Sequence, residues 1–149
     1  MLSVRGATVE DEGAVLALLE ELFEAPGRRL RGYTRAHAAA AFRHAVASPD
    51  ADVLLAGDGE RVVGLASVYV ALLSMRFGRR CWLEDLVVTS SRRGEGIGRL
   101  LLGATTRWAR THGCTHLELE SASARTDAHR FYVAAGMTQT ALSFACEVR

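Results

Sequence analysis

Glycines at 94, 96 and 98, flanked by arginines at 92, 93 and 99, form the stretch of this sequence best suited to chemistry. Glycine removes side chains from a turn, so backbone N–H groups can come close to an anion. A helix beginning there adds the unpaired donors of its first turn and the positive end of its dipole. Guanidinium groups on either side suit phosphate oxygens. Together these features describe a phosphate cradle at a helix N-terminus. A glycine-rich turn that only lets strand and helix pack closely has the same composition, and both readings stand at this point. Upstream lie two adjacent carboxylates, Glu84 and Asp85, in a stretch that reads as a strand. Strand alternation sends neighbouring side chains to opposite faces, so only one of the two is expected to face a cleft.

The elements that must position these residues follow from periodicity. Leu2 to Arg5 reads as a short strand, and Thr8 with Asp11 resembles a capping box. Val15, Leu18, Leu19 and Leu22 recur at helical spacing until Pro26-Gly27 stops them. A second helix is expected from Thr34 to before Pro49, with Ala38, Phe42, Ala45 and Val46 on its apolar side. Between the two helices lies a basic loop, Gly27 to Tyr33. Val53 to Ala56, the turn Gly57 to Glu60, and Val62 to Leu72 read as a hairpin. Cys81 to Thr89 is a third strand, nearly continuous in apolar residues through Leu86-Val87-Val88. It leads into a helix from about Gly96 to His112, closed by Gly113. Thr115 to Glu120 is a strand, Asp127 to Ala135 a helix ending at Gly136, and Thr138 to Val148 closing strand material. The strand–helix–strand unit from Cys81 to Glu120 should be a parallel crossover.

Bulk composition narrows the function classes. The 149 residues suit a single domain spanning 1–149, with 49% hydrophobic and 23% charged residues. Eighteen Lys plus Arg against 17 Asp plus Glu give a net charge of +1, without the basic excess of a nucleic-acid binder. Cys81, Cys114 and Cys146 form no C-x-x-C pair, and the five histidines include no H-E-x-x-H, so no metal site is expected. No apolar run reaches membrane-spanning length and the N-terminus has no signal-like apolar region, so a cytoplasmic location away from membranes is expected. Trp82 and Trp108 are expected in the core. His112 and His116 are expected to cap or sit at the surface.

The phosphate ligand is narrowed by which patterns fail. Arg99 stands where the dinucleotide fingerprint G-x-G-x-x-G needs its third glycine, and no G-K-[ST] of a triphosphate loop is present. The remaining pattern, R-x-x-G-x-G, is Arg93-Gly94-Glu95-Gly96-Ile97-Gly98. It resembles the acetyl-CoA motif of the GNAT N-acetyltransferase superfamily. Trp82 to Val88 is similar to that family's central strand, and Ala128-His129-Arg130-Phe131-Tyr132 through Gly136-Met137 is similar to its A-x-x-F-Y-x-x-x-G-F segment. The order of elements is similar over essentially the whole chain. Met137 departs from the family's usual Phe. Arg125 departs from an Asn common near the start of the last helix, and is expected either to meet a phosphate or acidic group or to be solvent-exposed.

The resemblance implies an α/β fold with a mixed, mostly antiparallel sheet, a splayed central parallel strand pair and flanking helices, in the order βααβββαβαββ. It implies acetyl-CoA as cosubstrate, held by Leu86, Val87 and Val88 of the central strand and by Arg93, Gly94, Gly96, Ile97, Gly98 and Arg99. Tyr132 matches the tyrosine that protonates the departing thiolate, and Glu84 is expected to accept the amine proton directly or through water. Tyr33, Arg80 and Asp85 fall where the family binds its acceptor, and the arginines of that region hint at an acidic or phosphorylated amine. The implied activity is acetyl transfer by direct attack of a primary amine of a small molecule. Protein or peptide N-acetylation, a non-catalytic acetyl-CoA-binding regulatory domain and a nucleotide-binding module stay open as alternatives. Edge strands near the C-terminus imply a homodimer as a partner state.

Overall fold

The computed structural model describes residues 1–148. Five strands form one sheet in the order β1-β2-β3-β4-β5: β1 (Leu2–Gly6), β2 (Ala51–Asp58), β3 (Arg61–Val70), β4 (Arg80–Val88) and β5 (His116–Leu119). Neighbours pair antiparallel except β4 with β5, which are parallel. Four helices complete the fold: α1 (Glu12–Glu21), α2 (Arg35–Ala47), α3 (Ile97–Thr111) and α4 (Thr126–Ala134). This is the α/β, mixed-sheet class expected from the sequence.

Local chemistry sets the boundaries. Thr8 and Asp11 form the expected capping box, with the Thr8 N–H donating to Asp11 Oδ2 at 2.8 Å. Thr34 caps α2 by accepting from the His37 N–H at 3.1 Å. Gly59 takes a φ of +62° in the turn joining β2 to β3, and Gly113 takes +73° just after α3.

Two apolar layers hold the sheet. On one face α3 buries Ile97, Leu101, Leu102, Ala104 and Trp108 against Ala56, Val63, Ala66, Val68, Cys81 and Leu83. Burial of Ile97 or Leu101 contributes about 1.5–3 kcal/mol each. A Cβ at Gly64 would come within 3.0 Å of both Leu101 Cδ1 and the Val87 carbonyl oxygen, so a side chain there would push α3 off the sheet. On the other face α1 and α2 bury Val15, Leu18 and Phe42 against Val53, Leu55, Leu65 and Val87. Trp108 is in the core as expected, with His112 stacked on it at 3.7 Å.

The closing strands expected between Thr138 and Val148 do not form. Every residue from 138 to 148 is exposed and lies outside strand or helix. The alternation of that segment suits a strand, but a strand exists only where a neighbour takes its N–H and C=O groups. Among the described residues no strand pairs with that segment, and the observed order ends at α4.

Candidate active site

The site is built where β4 stops pairing with β5. The parallel register runs from Arg80–His116 to Leu83–Leu119 and ends there, while β4 continues to Val88. Asp85 N–H donates to Ser67 Oγ and Thr89 N–H to the Val63 carbonyl oxygen, both towards β3. By alternation the N–H groups of Leu86 and Val88 point the other way, into the opening between β4 and β5. Val87 is turned towards β3, and its side chain is 4% exposed in the α1–α2 layer.

Immediately beyond β4, residues 90–92 make one 3-10 turn and the chain enters α3 through the glycine stretch. Gly94 and Gly96 have φ of +81° and +82°, the left-handed region that glycine adopts without strain. A Cβ at either position would meet nothing within 4 Å, so the turn presents bare backbone to open space. Leu100 N–H is the first to bond back into the helix, to the Gly96 carbonyl oxygen at 3.0 Å. The N–H groups of Ile97, Gly98 and Arg99 ahead of it are the unsatisfied first turn. The Ile97 side chain itself lies in the core at 1% exposure. A Cβ at Gly98 would press on Phe131 Cζ at 3.4 Å, so this third glycine lets α4 approach the start of α3.

The arginines divide in role. Arg92 is held by Asp58 at 3.2 Å and Glu95 at 2.8 Å, which ties the β2–β3 turn to the glycine stretch. Arg93 donates from Nε to the Val88 carbonyl oxygen at 3.1 Å and, like Arg99, has no ion-pair partner among the described residues. The bare turn, the free donors and these two guanidiniums fit a pyrophosphate.

A register shift between Ser67 and Val68 on β3 makes Glu84 an extra residue on β4: Ser67 faces Asp85 while Val68 faces Leu83. The bulge overturns the expectation that Glu84 and Asp85 point to opposite faces. Glu84 Oε2 accepts from Trp82 Nε1 at 2.7 Å and from the Tyr69 hydroxyl at 3.5 Å, and Asp85 Oδ2 accepts from Ser67 Oγ at 2.9 Å. Trp82, Tyr69 and Ser67 share one face by register, so both carboxylates lie on it. Trp82 is therefore half-buried beside Glu84, not in the core as expected. Burial pushes the Asp85 carboxyl above its ordinary range; the Ser67 hydrogen bond opposes this and the Glu84 charge adds to it. Burial also raises the Tyr69 phenol, with the negative charges of Glu84, Glu120 and Asp85 adding to the effect.

Arg80 starts the same strand. It pairs with Glu118 at 3.2 Å, sits over the Phe77 ring at 5.4 Å, and its Nε is buried without a hydrogen-bond partner. Tyr33 packs edge-on to Phe23 at 4.7 Å, with Arg29 over its ring and its hydroxyl buried without a partner. Among the described residues, Tyr33 makes no hydrogen bond or ring contact with the β4 group. Tyr69, Ser67 and Glu120 belong to the acidic face, yet nothing in their spacing marked them. They become visible only through the bulge.

Tyr132 lies on α4, its ring 5.3 Å from Phe131. Burial raises its phenol above the ordinary value, and nearby Arg125 partly offsets this. Arg125 is neither solvent-exposed nor set against an acid: its Nη2 donates to the Leu22 carbonyl oxygen at 2.8 Å, fastening α4 to the end of α1. Glu21, at that same end, accepts from the Ser90 N–H at 2.9 Å. The end of α1 thus braces both the entry to α3 and the entry to α4. Cys81 is buried and its thiol is pushed up to about 12, which leaves it unreactive.

Known proteins share this architecture. The sequence profile of the Acetyltransferase (GNAT) family matches residues 15–137. The chain is 32% identical to an aminoalkylphosphonate N-acetyltransferase of Salmonella typhimurium LT2, over 95% of this chain and 88% of that protein. It is 42% identical to an uncharacterized N-acetyltransferase, YhdJ, of Bacillus subtilis 168, over 40% of this chain and 42% of that protein. Among solved structures, an aminoglycoside N-acetyltransferase in complex with CoA superposes with a TM-score of 0.87 at 17% identity, covering 100% of this chain and 95% of that one. A protein described as a transcriptional regulator, from Bacillus halodurans C-125, superposes with a TM-score of 0.85 at 24% identity, covering 99% and 100%. The strand opening, the glycine turn and the match of the family profile over most of the chain lead to one assignment: the chain belongs to the GNAT acetyltransferase family, whose members transfer an acetyl group from acetyl-CoA to an amine.

Proposed function

We propose that this chain acetylates a primary amine of a small molecule by direct attack on acetyl-CoA, the acceptor entering over the acidic face at the β4 bulge. The observation that carries the reading is the coincidence of three features at one point of the chain. β4 loses its neighbour at Leu83, bulges at Glu84, and runs on into the glycine turn. Arg93, Arg99 and the backbone of Gly94, Gly96, Ile97 and Gly98 hold the pyrophosphate, and Leu86 and Val88 offer N–H groups to the thioester carbonyl. Val87 supports them from the core side.

Glu84 takes the proton of the attacking amine, directly or through one water, and Trp82 and Tyr69 hold its carboxylate in place. Tyr132, kept protonated by its burial, supplies a proton to the departing thiolate. Asp85 shapes the acceptor end through Ser67. Arg80, at the start of the same strand, borders it.

The acceptor carries positive charge besides the reacting amine. Glu84, Asp85, Glu118 and Glu120 surround the bulge, while Arg80, the cation of that group, is already paired with Glu118. A carboxylate-rich face with Tyr69 and Trp82 as walls suits a di- or polyamine better than an anion. This reverses the anionic acceptor hinted at by the arginines of the sequence. The buried, unpartnered Nε of Arg80 favours a second reading, an aminoalkylphosphonate like the substrate that names the Salmonella relative.

Thiol release from acetyl-CoA, measured across a polyamine, an aminoglycoside, an aminoalkylphosphonate and a lysine peptide, tests the reading. The polyamine or aminoglycoside should give the highest kcat/KM, and a preference for the phosphonate would replace the first reading by the second. Glu84→Gln should lower kcat roughly a hundredfold while leaving the KM for acetyl-CoA nearly unchanged, and an unchanged kcat would remove Glu84 as the base.

A further inference from the structure

Helix α1 ends without a cation of its own. Its last turn holds Glu20 and Glu21 and no basic residue, although the carbonyl groups there carry the negative end of the helix dipole. The missing charge comes from far along the chain: Arg125 Nη2 donates to the Leu22 carbonyl oxygen at 2.8 Å. Further contacts fix Arg125 in place. Its N–H donates to the Ala122 carbonyl oxygen at 2.9 Å, and its own carbonyl accepts the His129 N–H at 3.1 Å. Gly27 lies against the guanidinium, where a Cβ would overlap it. Gly27 is not among the glycines with positive φ, so its missing side chain serves space and not backbone conformation.

Arg125 is the N-cap residue of α4, and Tyr132 follows about two turns later along the same side. Helical side chains lean towards the N-terminus of their helix, so the Tyr132 ring leans back towards Arg125. Among the described residues, Arg125 is the one charge that pulls the Tyr132 phenol down against its burial. His129, one turn before Tyr132, is occupied elsewhere, with its Nε2 set on the Ala122 carbonyl oxygen at 2.9 Å. A carbonyl oxygen orients a guanidinium without neutralising it. No carboxylate pairs with Arg125 among the described residues, so its charge remains available to Tyr132.

An acid in this position faces two opposed demands. Burial keeps the phenol protonated, but it also disfavours the phenolate that is left once the proton has gone. A fixed cation beside the ring relieves the second effect, and in a dry site it does so more strongly than in water. Resting on the reading of Tyr132 as the acid, we infer that Arg125 is the positioning residue of the leaving-group end: it ties the start of α4 to α1 and holds a positive charge where Tyr132 gives up its proton. As the carbon–sulfur bond breaks, its electron pair passes to sulfur and the phenol proton follows. The phenolate forms beside Arg125. Glu84 has by then gained the proton of the amine, so solvent returns one proton to Tyr132 and takes one from Glu84.

Arg125→Gln keeps an amide N–H for the Leu22 carbonyl oxygen but loses the charge, whereas Arg125→Lys keeps both a donor and the charge. Steady-state kinetics should show kcat lowered at least about tenfold in Arg125→Gln and within about threefold of natural in Arg125→Lys, with the KM for acetyl-CoA little changed in both. Added to Tyr132→Phe, Arg125→Gln should lower kcat no further. Equal losses in the two single variants, or losses that multiply in the double variant, show a brace and overturn the proposal. Tyr132→Phe with natural kcat removes the acid reading and this proposal together. A fall there beside an undiminished Arg125→Gln removes this proposal alone. The phenol itself gives a readout independent of turnover. Its titration, taken as the phenolate absorbance that Tyr132→Phe removes, should move to higher pH in Arg125→Gln and stay in place in Arg125→Lys. An unmoved titration in Arg125→Gln overturns the proposal equally.

Discussion

Ser67 and Asp85 exchange hydrogen bonds across two strands: the Asp85 N–H donates to Ser67 Oγ at 3.0 Å, and the same hydroxyl donates to Asp85 Oδ2 at 2.9 Å. This reciprocal pair pins the register immediately after the bulge. It fixes Glu84 as the residue without a partner on β3. The carboxylate assigned to proton transfer owes its position to its neighbour.

Asp85→Asn should raise the melting temperature at neutral pH. The folded state holds the Asp85 carboxyl above its ordinary value, mainly through burial, so it binds a proton more tightly than the unfolded chain does. Stability from this group is therefore full below the ordinary value and declines as pH rises through the raised one. The advantage of the Asn variant should vanish at acid pH, where both forms are neutral. Thermal melts from pH 3 to 8 check this, and a constant difference across the range would contradict it.

Tyr132→Phe should lower kcat roughly a hundredfold while leaving the KM for acetyl-CoA nearly unchanged. Burial keeps the phenol above its ordinary value despite Arg125. The natural enzyme should therefore hold its rate up to about pH 10, the ordinary tyrosine value. The variant should lose any fall beyond it. A Tyr132 that only braces α4 would alter stability without reshaping the profile.

Gly96→Ala separates backbone strain from ligand exclusion. A residue with a Cβ at φ +82° costs about 1 kcal/mol, and the new methyl meets no protein atom within 4 Å. The protein should fold with a slightly lower melting temperature. The larger effect should be on CoA, whose Kd should rise at least about tenfold as its phosphates meet the methyl. Thermal shift with and without CoA reads both quantities.

Gly27→Ala tests the brace between α1 and α4. A Cβ at Gly27 would overlap the Leu22 and Glu24 carbonyl oxygens as well as the Arg125 guanidinium, so the loop itself must move and the Arg125–Leu22 hydrogen bond is disturbed with it. A loss of about 2 kcal/mol is expected in chemical denaturation. In Arg125→Ala, where the brace is already gone, the same glycine substitution should cost less, the remainder coming from the overlap with the Leu22 and Glu24 carbonyl oxygens.

The parts of the site that depend on local sequence were legible, and those that depend on register were not. The glycine stretch, the crossover from Cys81 to Glu120 and the Phe131-Tyr132 pair carry their own spacing, and Phe131 does meet Gly98. Glu84 and Asp85 misled because alternation assumes an unbroken ladder, and the bulge arises from the fit of β3 to β4. Trp82 misled for a related reason: an indole that reads as core lies on the face of β4 that carries Glu84, and its Nε1–H donates to that carboxylate. Thr138 to Val148 has the right pattern for strands but pairs with no strand among the described residues, and alternation alone does not say which edge would take it. Arg125 could not be placed because its acceptor, the Leu22 carbonyl, lies 103 residues away.

The ladder between β4 and β5 stops at Leu83, so the rest of β4 forms a free edge one strand in from the outermost one. Outer edges invite strands of other chains, but an edge freed where its neighbour β5 ends, at Leu119, suits something slender and linear that carries amide-like groups of its own. A ligand of that shape would serve the sheet as a surrogate strand. Its arrival should therefore slow amide exchange at Leu86 and Val88 on one side of β4 while leaving Val87 and Thr89, already bonded towards β3, unaffected.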